Sequence, residues 1–288
     1  MRAERFSDVG EFTAAVGAFL AHHEALNNLP LGIMSTLRTN PGHYREPYLA
    51  AAVDGDEVVA VAMRTPPHNL ILAHTDRPEA LAVLADDAIQ AFGTLPGVVG
   101  PQALALQFME LWQARTGQRG VVQVGERIYE AKAVTWPRAV SGSLRQAAES
   151  DRSWLVDWFE AFHSEAATGM GDPRQAAERG VERFLQDDTA GLWLWQDPEP
   201  VSLVGSSGPT GTGLRVGPVY TPRTQRGHGY ASWLTAEVTQ LRLSQGYGRV
   251  FLYTDLANST SNKIYQAVGY RPVGDAAQCQ FRGPETEG

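Results

Sequence analysis

The chain has 288 residues, an apolar fraction of 43% and a formal net charge of −8. This length suits two domains of about 140 residues each, and the negative charge argues against nonspecific nucleic-acid binding, which needs basic surface. Cys279 is the single cysteine, so a disulfide framework and a cysteine-rich metal site are both excluded within one chain.

The N-terminal residues contain no secretory apolar region, because acidic residues and His22-His23 interrupt the first helical pattern. No run of about 18 apolar residues occurs anywhere, which argues against a membrane span. We therefore expect a cytoplasmic protein with no membrane or nucleic-acid partner.

The first half predicts alternating helices and strands. Its clearest local signal is Asp54-Gly55-Asp56, a hairpin turn between two apolar strands. The predicted elements are a helix over 9–26, strands over 48–53, 58–64 and 69–73, a helix over 78–92, a strand at 98–99, a helix over 102–115 and two strands within 120–134.

The second half shows a similar order after a linker at 136–144. Its predicted elements are a helix over 154–162, a polar segment over 164–173, strands over 190–195, 201–206 and 214–221, a helix over 230–243, a strand over 249–255 and a helix after Asn258. We therefore predict two copies of one α/β fold, at 1–135 and 145–288. An unrelated α+β domain with the same order of elements is the alternative for the first half.

The most informative segment is the turn from Arg226 to Ala231, which lies between a predicted strand and a predicted helix. Its two glycines, Gly227 and Gly229, allow close approach of the backbone to a ligand. Free N–H groups and the positive end of a helix dipole suit a phosphate. A nucleoside triphosphate loop would need a Lys-Ser or Lys-Thr after the glycines, which is absent here, and the GxGxxG dinucleotide spacing does not match either.

Two blocks carry a family resemblance. The first block runs from Val219 to Ala231 and has the order Val-x-x-Pro-x-x-x-Arg-Gly-x-Gly-x-Ala. It resembles the coenzyme A signature of the GCN5-related N-acetyltransferases (GNATs). The later block, with Asn258, Tyr265 and the pair Gly269-Tyr270, is similar to that family's later helix and turn. The resemblance implies a GNAT-like acyltransferase fold with a mixed α/β sheet.

The resemblance also implies roles for individual residues. Backbone N–H groups near Val219 and Tyr220 would pair with the pantetheine amides and polarise the thioester, and Tyr265 would protonate the departing thiolate. Asn258 would bond the cofactor arm, although it also stands where a helix cap is expected. The implied cofactor-binding residues are Val219, Tyr220, Arg226, Gly227, His228, Gly229, Tyr230, Ala231 and Asn258.

The function implied is transfer of an acetyl group from acetyl-CoA, as cosubstrate, to a primary amine by direct attack, with no metal. The acceptor, a small molecule or a peptide, is left open, as are the oligomeric state and the general base, for which Glu165, His163 and Asp172 are candidates. The alternatives are a different acyl or aminoacyl donor and a noncatalytic acyl-CoA-binding sensor or scaffold.

The corresponding turn of the first half is Ala73-His74-Thr75-Asp76-Arg77-Pro78, which has no glycine pair. Asp76 would repel a pyrophosphate, and Pro78 has no N–H to offer it. We therefore expect the first copy to lack cofactor binding.

Overall fold

The computed structural model describes residues 1–166, 172–187 and 189–283. Both halves run through the same series: a strand, two helices, three strands, a helix, a strand, a helix and a strand. In each half a 3-10 turn precedes the third helix. This repeated order confirms the prediction of two tandem α/β copies with a mixed sheet.

The elements of the first half are β1 (Arg2–Phe6), α1 (Val9–His22), α2 (Asn28–Thr39), β2 (Tyr48–Asp54), β3 (Glu57–Arg64), β4 (Leu70–Leu72), α3 (Leu81–Phe92), β5 (Gly97–Pro101), α4 (Gln102–Thr116) and β6 (Arg119–Ala131). Those of the second half are β7 (Ser143–Gln146), α5 (Arg152–Ala166), α6 (Pro173–Gln186), β8 (Gly191–Gln196), β9 (Pro200–Ser207), β10 (Gly213–Tyr220), α7 (Tyr230–Ser244), β11 (Arg249–Asp255), α8 (Ser259–Val268) and β12 (Arg271–Arg282).

Several elements differ from the sequence-based prediction. The helix expected over 9–26 ends at His22, and a separate helix begins at Asn28. The two late strands expected within 120–134 form one strand, β6. The edge strand β1 was missed because its burial pattern is mostly exposed, which leaves no apolar alternation. The helix α6 was also missed, although Asp172 as its cap and Pro173 as its first residue are a typical helix start.

The chain forms two compact units that are interleaved in sequence. The first contains residues 1–128, 253–259 and 272–288, and the second contains residues 129–252 and 260–271. The predicted domain boundaries, with a linker at 136–144, follow the repeat of elements along the chain. They do not coincide with the division into these two compact units, and they stay a prediction.

In the first unit the strands are ordered β1-β2-β3-β4-β5-β12-β6. The last strand of the chain, β12, pairs antiparallel with β5 over 276–280. Cys279 is fully buried there and belongs to the same core as Trp112 and Phe281. The C-terminal strand is therefore part of this unit's core.

In the second unit the order is β11-β10-β9-β8-β7, with β10 parallel to β11 and antiparallel to β9. One core cluster packs α7 and α8 with Leu214, Val216 and Val250 of the strands. A second cluster packs α5 and α6 with Leu194 and Leu203. Within the described ranges, no helix is long and apolar enough to cross a membrane.

Candidate active site

The strand β10 separates from one of its neighbours before it ends. It pairs with β11 only over Gly213–Arg215, whereas it pairs with β9 as far as Tyr220, with an irregularity between Val216 and Val219. Consecutive strand residues direct their N–H groups to opposite edges. One of the two residues Val219 and Tyr220 therefore has its N–H on the edge away from β9.

The turn that follows β10 has the backbone conformation that its glycines predict. Gly227 and Gly229 have φ angles of 83° and 89°, which a side chain strongly disfavours. A Cβ added to Gly229 would also lie 3.2 Å from Cγ1 of Val140. Gly229 is the N-cap of α7, and no side chain caps that helix end.

The backbone N–H groups of this turn are unused by the chain itself. Across the described ranges, no acceptor takes the N–H groups of residues 227–232, and the first bond of the helix start runs from Trp233 N–H to the Gly229 carbonyl. Gly227, His228 and Gly229 are exposed. Together with the helix dipole, these donors fit the pyrophosphate of a nucleotide cofactor.

The side chain of Arg226 makes two interactions within the chain. Its Nε donates to the Thr221 carbonyl at 2.9 Å, and an Nη atom pairs with Glu165 at 2.7 Å. Arg223 lies 3.3 Å from the same carboxylate. The positive charge of Arg226 is thus partly neutralised, and its side chain fixes the turn.

The side chains of His228 and Tyr230 lie outside the row of donors. The His228 ring stacks on Tyr230 at 5.6 Å, and the Tyr230 hydroxyl donates to Asp197 at 2.7 Å. The contribution that we expect from these two residues, as from Ala231, is their backbone N–H groups. The Tyr220 ring is buried against Trp158 at 5.9 Å, so this residue too can contribute only its backbone.

Tyr265 lies on α8 and is 7% exposed. Its hydroxyl has no hydrogen-bond partner in the described part of the chain, and burial raises the pKa of the phenol to about 12. Val219, Tyr230 and Tyr265 belong to the same hydrophobic cluster of the second unit. Asn258 immediately precedes α8 and belongs to the segment 253–259 of the first unit.

Sequence reasoning missed a residue that holds α8. The Tyr129 hydroxyl donates to Asn262 Oδ1 at 2.9 Å and accepts from Gln266 Nε2 at 2.9 Å. Asn262 and Gln266 are four apart, so they share one helix face, and a tyrosine 133 residues earlier leaves no local signal. Gly269, in the second sequence block, has φ 108°, and a Cβ there would lie 2.9 Å from the Ala133 carbonyl oxygen. A side chain at this position would therefore be strained.

The three candidate bases differ in their surroundings. The Arg226 guanidinium holds the pKa of Glu165 below its usual value, with a smaller effect from Arg223, so Glu165 is a weak base at neutral pH. Asp172 accepts from the N–H groups of Arg174 and Gln175 as the cap of α6. His163 lies against Phe159 and Phe162, and burial lowers its pKa.

The corresponding turn of the first half uses its donors internally. The His74 N–H donates to Asn27 Oδ1 at 2.7 Å, and the Arg77 N–H donates to the Thr75 hydroxyl at 2.9 Å. The guanidinium of Arg77 pairs with Asp54 and Glu79. This turn therefore offers fewer free donors than residues 227–232.

Parts of the sequence match a known family and a known protein. The FR47-like protein family matches residues 210–279, which span β10, the glycine turn, α7, β11 and α8. A mycothiol acetyltransferase from Beutenbergia cavernae is 27% identical over 216 residues, which are 72% of this chain and 71% of that protein.

Solved structures resemble the whole chain. A GNAT-family acetyltransferase from Colwellia psychrerythraea has a TM-score of 0.57 at 12% identity, and the match covers 98% of this chain and 99% of the other. A tandem GNAT protein from the clavulanic acid biosynthesis pathway has a TM-score of 0.60 at 12% identity, with 99% of each chain covered.

The chain has the fold of the GNAT proteins, built here from two tandem α/β copies. Its sequence is similar to the FR47-like protein family over residues 210–279 and to a mycothiol acetyltransferase over 72% of the chain.

Proposed function

We propose that the second copy transfers an acetyl group from acetyl-CoA to a primary amine by direct attack on the thioester. The observation that carries this proposal is the row of unused N–H groups over residues 227–232, at the start of a helix that no side chain caps. A fold that binds no anion at this helix start would gain stability by capping these groups. The first copy has no corresponding row.

In this proposal the chain's own residues mainly bind and orient the donor. The N–H groups at the start of α7 bind the pyrophosphate, and Arg226 keeps the turn in place through Thr221. The outward N–H at the end of β10 binds the pantetheine arm, and Asn258 bonds that arm. Acetyl-CoA itself supplies an activated carbonyl, and positioning it beside the amine is the main rate contribution available.

Tyr265 is the proposed proton donor to the departing thiolate. Its pKa of about 12 keeps the phenol protonated through the neutral range, so the proton is available. The same burial makes it a weaker acid than a free phenol, and transfer becomes balanced only where the sulfur is also shielded from water.

No dedicated base is proposed for the amine. Glu165 is held ionised by arginines, and Asp172 is used as a helix cap. We propose instead that the amine loses its proton through water.

The name of a relative supports one acceptor for a direct test. The Beutenbergia protein is named for mycothiol, so desacetylated mycothiol belongs in an acceptor panel beside polyamines, amino sugars and peptide amines. The purified full-length chain is incubated with acetyl-CoA, propionyl-CoA or an aminoacyl-tRNA, and thiol or tRNA release is followed with each acceptor.

We expect one amine to give release of coenzyme A from acetyl-CoA. Mass spectrometry should detect the acetylated form of that amine. Preference for another donor would reassign the chemistry on the same fold. Tight acetyl-CoA binding without turnover of any amine would favour a sensor or scaffold.

A further inference from the structure

Three metal-ligating side chains converge in the first copy. His23 follows the end of α1, and His74 and Asp76 lie in the loop after β4. The Nε2 atom of His74 is 3.4 Å from Oδ1 of Asp76, and Nε2 of His23 is 3.6 Å from Oδ2. The ligand atoms of the three residues all lie within 4.8 Å of one another.

One of these atoms lacks the interaction that burial demands. Nε2 of His23 is shielded from solvent and has no hydrogen-bond partner among the described residues. Buried polar nitrogen atoms in native proteins nearly always have a partner, because losing water without one is unfavourable. This nitrogen lies within 4.8 Å of the ligand atoms of His74 and Asp76.

The backbone holds the two histidines in place. Asn27 is fully buried and donates its backbone N–H to the His23 carbonyl at 2.9 Å. Its side-chain oxygen accepts the His74 N–H at 2.7 Å, and its side-chain nitrogen donates to Leu20. One side chain therefore fixes both ligand-bearing segments relative to each other before any ligand binds.

We propose that His23, His74 and Asp76 form a binding site for a divalent first-row transition metal such as Zn²⁺. Ligand atoms about 2.0–2.1 Å from a tetrahedral ion lie about 3.3 Å apart, close to the two separations found here. Two imidazoles select such a metal over Mg²⁺ and Ca²⁺, which prefer oxygen ligands. The side chain of Asp76 is 80% exposed, so it can adjust to the ion, and water can fill a fourth position.

The site would join the end of α1 to the loop that corresponds to the glycine turn of the second copy. The sequence does not predict this site, because the three ligands are spread over 54 positions without a recognisable spacing. The proposed role is stabilisation of this loop, and it is independent of acetyl transfer.

The test uses the full-length chain without a histidine tag, treated with a chelator and then titrated with Co²⁺ and Zn²⁺. Co²⁺ should give visible d–d absorption that saturates at one equivalent, and Zn²⁺ should displace it. Metal affinity should fall at least about tenfold in each of the variants His23→Gln, His74→Gln and Asp76→Asn. Removing a residue that only supports a ligand already lowers affinity by about that much, and these variants remove the ligands themselves. His22→Gln, which changes the exposed neighbouring histidine, should leave affinity within about threefold.

Thermal unfolding separates ligation from folding. Zn²⁺ should raise the Tm of the wild-type chain more than that of Asp76→Asn, while the metal-free Tm values agree because Asp76 is exposed. Absence of saturable binding at one equivalent would overturn the proposal. So would equal binding by the wild type and the three ligand variants, or equal loss in His22→Gln.

Discussion

The Nε atom of Arg226 donates a 2.9 Å hydrogen bond to the carbonyl oxygen of Thr221, which closes the turn at the end of β10. A second nitrogen of the same guanidinium reaches Glu165 at 2.7 Å. The planar fork of arginine allows both bonds at once, and a lysine ammonium cannot copy that arrangement.

Arg226→Lys should therefore weaken acetyl-CoA binding nearly as much as Arg226→Ala, by roughly 3- to 10-fold, which is about 1 kcal/mol. Isothermal titration calorimetry measures both constants. Glu165→Gln is the control, because it retains the bond to Thr221 and removes a negative charge near the turn. Wild-type affinity in Arg226→Lys would instead assign Arg226 a purely electrostatic role.

Gly229→Val should weaken acetyl-CoA binding at least tenfold, or about 1.4 kcal/mol. Valine disfavours φ 89°, and its Cβ would lie 3.2 Å from Val140 at the place where the N–H groups are exposed. Gly246→Val is a matched control, since Gly246 has φ 98° just beyond the other end of α7. Both variants should lose stability, and only Gly229→Val should lose affinity; a similar loss in both would indicate a general folding defect.

Tyr265→Phe should lower kcat by roughly 10²-fold and leave the acetyl-CoA Kd within about threefold, since only the hydroxyl is lost. Because the pKa of Tyr265 is raised to about 12, this phenol should cause no fall in kcat between pH 7 and pH 10. Tyr270→Phe is the control: that hydroxyl bonds Thr239 at 2.7 Å, so its loss should reduce stability more than kcat. Unchanged kcat in Tyr265→Phe, with chemistry rate-limiting, would move the acid role to water.

Asp151 should make a pH-dependent contribution to stability. Arg145 pairs with both oxygens of this carboxylate, at 2.7 and 2.8 Å, and lowers its pKa below the usual 3.8. A lowered folded-state pKa stabilises the protein above the unfolded-state value, and this contribution is lost as pH falls through the folded-state value.

Asp151→Asn should therefore lower the free energy of unfolding by about 1.5–3 kcal/mol at pH 7. The difference from the wild type should shrink below about pH 4. Urea unfolding at pH 7 and pH 3 measures it, provided both proteins are folded at the lower pH. A constant difference across that range would mean that packing, and not ionisation, accounts for the loss.

The fragment 1–138 should fail to fold, in contrast to the expectation for a domain that ends at residue 135. It lacks β12, which pairs with β5, and Phe281, which stacks on Trp112 at 5.7 Å. An apolar core without its last strand should aggregate, as light scattering would show. In the full chain, Phe281→Ala should cost about 3–5 kcal/mol of stability. A soluble, cooperatively unfolding fragment would show that the first repeat is an independent domain.

The sequence predicted the repeat and the conformation of the glycine turn because each depends on local pattern or on short, ordered motifs. The role of Tyr265 stays a prediction. Positive φ at Gly227 and Gly229 could be expected from a turn before a helix. The pairing of Arg226 with Glu165 could not, since it joins residues 61 apart, and neither could the support of α8 by Tyr129. The pairing of β12 with β5 could not be predicted either. The sequence of β12 favours a strand but does not specify which strand it pairs with.

Because the two units are interleaved in sequence, they complete their folds in a defined order during synthesis. The first unit begins with residue 1, yet β5 meets its antiparallel neighbour only at residues 276–280. Because a ribosome releases residues in chain order, nearly the whole polypeptide must emerge before that core can close. A nascent chain stalled halfway would leave the edge of β5 uncovered and open to capture by a chaperone. The unit that carries the glycine turn, complete at residue 271, can finish folding before the one that started first.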